Sequence, residues 1–198
     1  MKRAIGAIAV YEDPKRGRTA VLQVRKNDDS FPQCVEKTWG GGAEQGEKLS
    51  AALCREYGEE VCEVSARSGI RPSSLLLKQQ KPETVVDPET DHVHEIIDTD
   101  HLRYVLERLN ELREVGKKLI VTLLCRIQDP QLVEEIQPLV DAGTLIKVTA
   151  ADVDRLIPIN AAEHKIDGLP AHQREAGKLG MFPDEIEAVR MALGLAKA

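Results

Sequence analysis

The order of apolar and polar residues along the chain predicts a series of strands. Residues 3–11 and 19–26 are predominantly apolar stretches that predict two partner strands, and the polar EDPKRGR between them is typical of a turn. A near-continuous apolar run over 117–127 predicts a strand that is buried on both faces. Shorter stretches predict further strands, over 34–38, 73–80, 92–95 and 144–148.

Helical spacing of apolar residues predicts helices between these strands. The most informative helix is expected to begin near Leu49 or Ser50, with Ser50 as a candidate N-cap. We expect it to run to about Ser68, because Cys62 is unfavourable in the left-handed conformation that ends many helices and Gly69 adopts it readily. The other predicted helices span 98–115, 130–140, 150–156 and a C-terminal segment from about 183, where a proline favours the first turn.

Three segments between these elements are predicted to be loops. Residues 40–42 are consecutive glycines, and residues 81–90 contain two prolines. Residues 157–182 are rich in glycine, proline, histidine and charge, so we expect a mobile segment there. Whether that segment serves as a lid is not determined by its composition.

Length and composition predict one globular domain over 1–198, in which 157–198 form a C-terminal extension with a final helix. The chain has 198 residues, of which 42% are hydrophobic and 30% are charged, values that are ordinary for a globular protein. The order of strands and helices predicts an α/β fold with a mixed sheet flanked by helices. This layout alone does not predict a function.

The helix that follows the glycines carries a cluster of carboxylates. Glu56, Glu59 and Glu60 fall within one arc of an ideal helix, and Leu53 and Tyr57 fall on the adjacent, apolar arc. Like charges at these spacings destabilise a helix, so a bound cation would offset their repulsion. Carboxylate oxygens suit Mg²⁺ or Mn²⁺ better than zinc. The alternative, a solvated acidic surface, remains open on the carboxylates alone.

The spacing of the whole segment resembles the signature of the Nudix hydrolases. That signature is matched by residues at fixed separations, namely Gly41, Glu47, Arg55, Glu56, Glu59 and Glu60. The chain departs from the signature at Tyr57, Cys62 and Glu63, where the family has an aliphatic residue, a glycine and an aliphatic residue. The resemblance implies a Nudix-like α/β/α sandwich, here with a helical insertion at 98–115 and an added C-terminal helix.

The resemblance also implies an activity and roles for these residues. Nudix hydrolases use divalent metal ions, Mg²⁺ or Mn²⁺, to cleave the pyrophosphate linkage of a nucleoside diphosphate joined to another group. By the resemblance, Glu56, Glu59 and Glu60 would bind metal, and Glu56 or Glu60 would take part in catalysis. Arg55 would orient these carboxylates by pairing with Glu47 and by reaching Glu59 one turn further on.

Four residues are candidates for binding the substrate. Gly41 and Gly42 would let the backbone approach it closely. Trp39 is the first candidate for a wall of the site, although a lone tryptophan beside a strand is at least as often packed in a core. Arg25 could meet a phosphate, and a solvated strand end is an equal alternative.

Residues outside the helix include candidates for a further acidic ligand and a pair of histidines. Nudix enzymes often take an acidic ligand from elsewhere in the chain, and Asp91 or Glu95 are candidates between which the sequence does not choose. His92 and His94 form a His-x-His pair. Without a third ligand at a recognisable spacing, two exposed strand histidines are a better interpretation than a zinc site.

Charge and cysteine content restrict partners and location. A net charge of −6 argues against general nucleic-acid binding and against binding to an anionic membrane surface. The four cysteines lack disulfide or zinc spacing, and no signal peptide or membrane span is evident, so we expect a cytoplasmic protein. The 98–115 and C-terminal helices are candidate surfaces for a homodimer. Two functions from other classes remain open: a Nudix-fold module that binds a nucleotide without cleaving it, and an interaction protein.

Overall fold

The computed structural model describes residues 3–25, 34–62, 82–85, 119–127, 130–159 and 177–195. The strands within these ranges are β1 (Arg3–Asp13), β2 (Gly17–Val24), β3 (Val35–Glu36), β4 (Trp39–Gly42), β5 (Pro82–Val85), β6 (Leu119–Arg126), β7 (Leu145–Thr149), β8 (Leu156–Pro158) and β9 (Leu179–Met181). The helices are α1 (Leu49–Glu56), a π-helical turn (Tyr57–Cys62), α2 (Pro130–Asp141), a 3₁₀ helix (Ala150–Arg155) and α3 (Pro183–Ala192).

A mixed, seven-stranded sheet is built around β1. One edge of β1 pairs antiparallel with β4 along its first half and with β2 along its second half. Its other edge pairs with β6 in parallel, from Arg3 opposite Leu119 to Val10 opposite Arg126. β5 extends the sheet beyond β6, and β7 extends it beyond β2. A second, two-stranded sheet joins β8 and β9 in parallel.

Side chains that alternate along β1 enter two separate cores. Ile5, Ala7 and Ala9 pack on one face against α1 and α2, whereas Ile8 and Val10 pack on the other face against α3. Because successive side chains of a strand point to opposite faces, one apolar strand supplies both layers. The mixed sheet with helices on both faces confirms the predicted α/β/α arrangement.

Most of the strongly patterned elements lie where the sequence predicts them. The predicted strands at 3–11, 19–26 and 117–127 correspond to β1, β2 and β6, and the helices at 130–140 and near 183 correspond to α2 and α3. α3 begins with Pro183 in its first turn, as expected, and buries Val189 completely. The segment predicted as a short helix at 150–156 is a 3₁₀ helix.

Three predictions about loops and caps are wrong. The glycines at 40–42 form part of β4, and residues 82–85 form β5 inside the predicted loop 81–90. Ser50 is not the N-cap, because α1 already includes Leu49. The mobility expected for 157–182 stays a prediction: β8 and β9 lie at the two ends of this segment, and residues 160–176 lie outside the described residues.

The predicted continuous α-helix changes character after Glu56. Tyr57–Cys62 forms a π-helical turn, in which the hydrogen bonds are one residue longer than in an α-helix. The spacing that places Glu56, Glu59 and Glu60 on one arc therefore does not hold beyond Glu56. The predicted continuation to Ser68 lies outside the described residues. So do the predicted strands at 73–80 and 92–95, the helix at 98–115, and Asp91 and Glu95.

None of the helices in the described ranges combines the length and the apolar character that crossing a membrane requires.

Candidate functional site

The glycine strand β4 lies in close contact with both β1 and α1. Gly40 has a φ of +151°, and a Cβ atom there would lie 2.4 Å from Gly6 Cα. A Cβ atom at Gly41 would lie 2.3 Å from the Glu56 carboxyl carbon. The glycines therefore permit close approach to the protein's own backbone and to a carboxylate of the predicted site. Gly42 is exposed and carries a backbone carbonyl that takes part in the site.

Arg55 is the centre of the hydrogen-bond network between α1 and β4. Its Nε donates to Glu47 Oε1 at 3.1 Å, and its Nη2 donates to Glu47 Oε2 at 3.1 Å, which is a bidentate pair. Nη2 also donates to the Gly42 carbonyl at 2.9 Å. The single nitrogen Nη1 donates to Glu56 Oε1 at 2.8 Å and to Glu59 Oε2 at 3.1 Å. The guanidinium thus joins three carboxylates to the glycine strand, and the predicted pairs with Glu47 and Glu59 are both present.

These contacts raise the pKa of Arg55 above its usual range, and the hydrogen bonds that Arg55 donates to Glu47 are the largest cause. The arginine is charged at any relevant pH, so its role is to hold geometry and not to transfer a proton. Glu47 is itself fixed, because the Glu44 backbone N–H donates to Glu47 Oε2 at 2.8 Å.

The three candidate ligands differ in exposure. Glu56 is buried, with 8% of its surface accessible, whereas the Glu59 side chain is 53% exposed. Glu60 lies between these extremes and accepts a hydrogen bond from the Gly40 backbone N–H at 2.7 Å. Burial raises the pKa of Glu60 and the hydrogen bond from Gly40 opposes that rise. The site thus combines a buried, an intermediate and a solvent-accessible carboxylate.

A second cluster of charged side chains lies between the β3 region and α3, and it was not predicted from the sequence. Arg25 Nη1 lies 3.4 Å from Glu36 Oε2, and Lys37 Nζ lies 3.4 Å from Glu185 Oε1. Burial is the largest cause that raises the pKa of Glu36 to about 7, and it also raises the pKa of Glu185. The only signal for this cluster in the sequence was that Glu36 and Lys37 lie a few residues before the glycines. Nothing local to Glu185 indicated its partner.

Trp39 does not form a wall of the site. It is fully buried, and its ring meets that of Tyr57 edge to face with centroids 5.1 Å apart. The ring therefore offers no face to a ligand. Trp39 is packed in the core, which was the alternative interpretation of this residue. Tyr57 is buried in the core beside this tryptophan.

The donor set suits a hard divalent cation, although the carboxylates do not converge as they stand. Within the described residues, no three acidic, histidine or cysteine side chains are placed to hold one metal ion. Arg55 Nη1 lies between the oxygens of Glu56 and Glu59, and Glu60 points to β4. Glutamate oxygens are the ligands that Mg²⁺ and Mn²⁺ prefer.

Comparison with known proteins finds only distant likenesses. No family model and no curated protein matches the chain. Among solved structures, it is similar to Shewanella oneidensis NrtR, with a TM-score of 0.40 and 13% identity over 77% of this chain and 54% of that chain. It is also similar to C. elegans Ap4A hydrolase, with a TM-score of 0.32 and 14% identity over 71% and 88% of the two chains. The match thus spans about half of NrtR, and likeness of this degree transfers no residue roles.

Proposed function

We propose that this protein is a divalent-metal-dependent hydrolase that cleaves the pyrophosphate linkage of a nucleoside diphosphate derivative by attack of water on phosphorus. One observation carries the proposal: Arg55 is fixed by Glu47 and by the Gly42 carbonyl, and it holds Glu56 and Glu59 beside the glycine strand. A plain acidic surface would not require a bidentate arginine or a buried glutamate.

The chemistry of the substrate explains the carboxylates. A diphosphate repels an incoming hydroxide until cations neutralise its oxygens, and bound Mg²⁺ or Mn²⁺ supplies that charge and lowers the pKa of a coordinated water. Glu56, Glu59 and Glu60 would hold the metal. Arg55 would orient Glu56 and Glu59 through the hydrogen bonds that its Nη1 donates to both.

Proton transfer and substrate contact involve further residues of this chain. Glu56, or an acidic residue of the 91–100 segment, would accept the proton of the attacking water. Glu56 is favoured on the helix because it is the most buried of the three carboxylates. Arg25 would contact a substrate phosphate after release from Glu36, which lies 3.4 Å away.

The test is hydrolysis of a panel of nucleoside diphosphate derivatives in the presence of Mg²⁺ or Mn²⁺. Released nucleoside monophosphate should be detected with the unchanged protein and should fall at least about a hundredfold with Glu59→Gln, since a metal ligand is lost. Glu134→Gln is the matched control, because Glu134 is an exposed glutamate on α2. Equal activity of the Glu59 and Glu134 variants would refute the proposed site.

The alternative is a module that binds the nucleotide without cleaving it. It is favoured by the position of Glu60, whose carboxylate is bound to the Gly40 N–H instead of facing Glu56 and Glu59. Metal-dependent binding of a nucleoside diphosphate derivative, measured by calorimetry without any released product, would support this alternative. If neither binding nor release occurs across the panel, both functions are excluded in favour of an interaction protein.

A further inference from the structure

Thr38 lies at the bend between β3 and β4, at the point where β1 and β2 separate. The direct pairing of β1 with β2 extends to Ala9 opposite Val21. Beyond that pair, β1 continues with β4 from Ala7 onward, and β2 continues with β3. The segment 35–42 therefore enters the sheet between two strands that have parted.

The Thr38 hydroxyl group connects the two strands at this fork. The Ala9 N–H donates to Thr38 Oγ1 at 2.8 Å, and Thr38 Oγ1 donates to the Val21 carbonyl. Ala9 and Val21 are the last direct partners of the β1–β2 pairing, so one hydroxyl joins both strands to the segment between them. Thr38 is only 5% exposed, which shields both hydrogen bonds from competition with water.

The glycine strand β4 needs such an anchor because it is almost without side chains. Its sequence is WGGG, in which Trp39 alone carries a side chain. The register of a glycine-rich strand is weakly specified, since no alternation of buried and exposed side chains selects it. Thr38 directly precedes β4 and is bonded to both β1 and β2, so it fixes the point at which β4 begins.

The register of β4 sets the position of two backbone groups at the proposed hydrolase site. The Gly40 N–H donates to Glu60 Oε2 at 2.7 Å, and the Gly42 carbonyl accepts a hydrogen bond from Arg55 Nη2 at 2.9 Å. The same guanidinium donates to the other carboxylates of the site. A shift of β4 would move both backbone groups away from their partners and would release the carboxylates that they help to orient.

We infer that Thr38 is a positioning residue for the proposed metal site, and that it acts through β4. Its hydroxyl group holds β4 in the register that presents the Gly40 N–H to Glu60 and the Gly42 carbonyl to Arg55. Loss of a group that orients a metal ligand typically lowers metal affinity 10- to 100-fold, and Thr38 acts one step further away, so we expect roughly tenfold. The effect on metal rests on the proposed function, whereas the effect on the Gly40 N–H does not.

Three variants of the full chain separate this role from a general loss of stability. Thr38→Val removes the hydroxyl group and nearly keeps the shape, and Thr38→Ser keeps the hydroxyl group. Thr19→Val is the matched control, because Thr19 is also fully buried and its Oγ1 donates to the Gly17 carbonyl at 2.9 Å, near the hairpin turn between β1 and β2. Urea denaturation of each variant shows that the two valine variants are compared at similar stability.

The first measurement is hydrogen exchange of the Gly40 amide by NMR, in chelator, with the Leu123 amide of the central strand β6 as internal reference. Relative to that reference, the Gly40 amide should exchange about tenfold faster in Thr38→Val, since one hydrogen bond is of that strength. Thr38→Ser and Thr19→Val should keep the rate of the unchanged protein. Equal relative rates in the two valine variants would overturn the inference.

The second measurement is calorimetric titration with Mn²⁺ alone, without substrate. The Kd should rise roughly tenfold in Thr38→Val and should stay near that of the unchanged protein in Thr38→Ser and Thr19→Val. Mn²⁺ binding that Thr38→Val retains in full would overturn the inference and leave the proposed function intact. Absence of Mn²⁺ binding by the unchanged protein would instead refute the proposed function, and the Gly40 exchange rates would still decide whether Thr38 holds β4 in place.

Discussion

Gly41 and Glu56 are so close that a methyl group on residue 41 would lie 2.3 Å from the carboxyl carbon of Glu56. Glu56 is in turn held by Arg55 Nη1 at 2.8 Å. The glycine is therefore required by the position of a carboxylate and not by an unusual backbone angle. This distinguishes Gly41 from its neighbour Gly40, which has a φ of +151° and faces the backbone of β1.

The two glycines should respond differently to alanine. Gly41→Ala meets only the end of a flexible side chain, so we expect a loss of stability of about 1 kcal/mol and a large loss of metal-dependent hydrolysis as Glu56 is displaced. Gly40→Ala meets backbone atoms, so we expect a loss of about 3 kcal/mol or more. Chemical denaturation and turnover of the same preparations measure both effects. A Gly41→Ala protein with full activity would contradict the assigned role of Glu56.

Replacing Arg55 by lysine should impair the site although the charge is kept. A lysine cannot reproduce the bidentate pair with Glu47 together with the bonds to Gly42, Glu56 and Glu59. We expect hydrolysis to fall about tenfold or more, with a kcat effect larger than the KM effect.

The control for this prediction is Arg155→Lys. Arg155 also binds a carboxylate and a carbonyl, with Nη1 at 3.0 Å from Asp152 Oδ1 and Nε at 2.7 Å from the Gly177 oxygen, but it lies outside the proposed site. Its replacement should leave turnover unchanged. A similar loss in both variants would show that the effect is a general one on folding.

The free energy of unfolding should fall as the pH rises, because the folded protein holds a proton on Glu36. Burial raises its pKa from 4.5 to about 7, against the opposing effect of Arg25. The folded state thus holds a proton that the unfolded chain loses near pH 4.5, and the associated stability is present below that pH and is lost as the pH rises through 7. The full effect is about 3 kcal/mol.

The measurement is the free energy of unfolding between pH 5 and pH 8 with chelator present. Glu36→Gln removes the titrating carboxyl group. The free energy of unfolding of this variant, relative to that of the unchanged protein, should therefore increase with pH. Burial also raises the pKa of Glu60 and Glu185, so part of the decline will persist in the variant. Glu134→Gln, which changes an exposed carboxylate, should follow the unchanged protein. A parallel pH profile for Glu36→Gln would show that Glu36 is not the titrating group.

Lys37 and Glu185 should behave as a buried ion pair that links β3 to α3. Their charged atoms lie 3.4 Å apart, and the two side chains are 11% and 12% exposed. Lys37→Met leaves Glu185 buried without its partner and should cost about 3 kcal/mol at neutral pH. The double variant Lys37→Met/Glu185→Met should recover most of that loss, as measured by denaturation in a double-mutant cycle. A double variant less stable than Lys37→Met alone would contradict the pairing.

Strong local patterns in the sequence were sufficient to predict much of the fold. The apolar stretches of β1, β2 and β6 and the proline at the start of α3 are each a local signal of one element. The pair from Arg55 to Glu59, which the family resemblance implies, is also present, although Glu59 lies in the π-helical turn.

Tertiary structure alone decided the features that depend on residues distant in sequence. The glycines at 40–42 join a strand because β1 offers them backbone partners, and Trp39 is buried because Tyr57 and the sheet enclose it. Glu185 contacts Lys37 although the two residues are far apart in the sequence, and no local pattern encodes that contact. Glu60 turns toward Gly40 because the helix widens into a π-helical turn. The sequence by itself thus determined the strongly patterned elements β1, β2, β6, α2 and α3 and the segment in which the carboxylates cluster. Packing determined which of those groups are buried and what each one touches, since burial and pairing depend on contacts between elements.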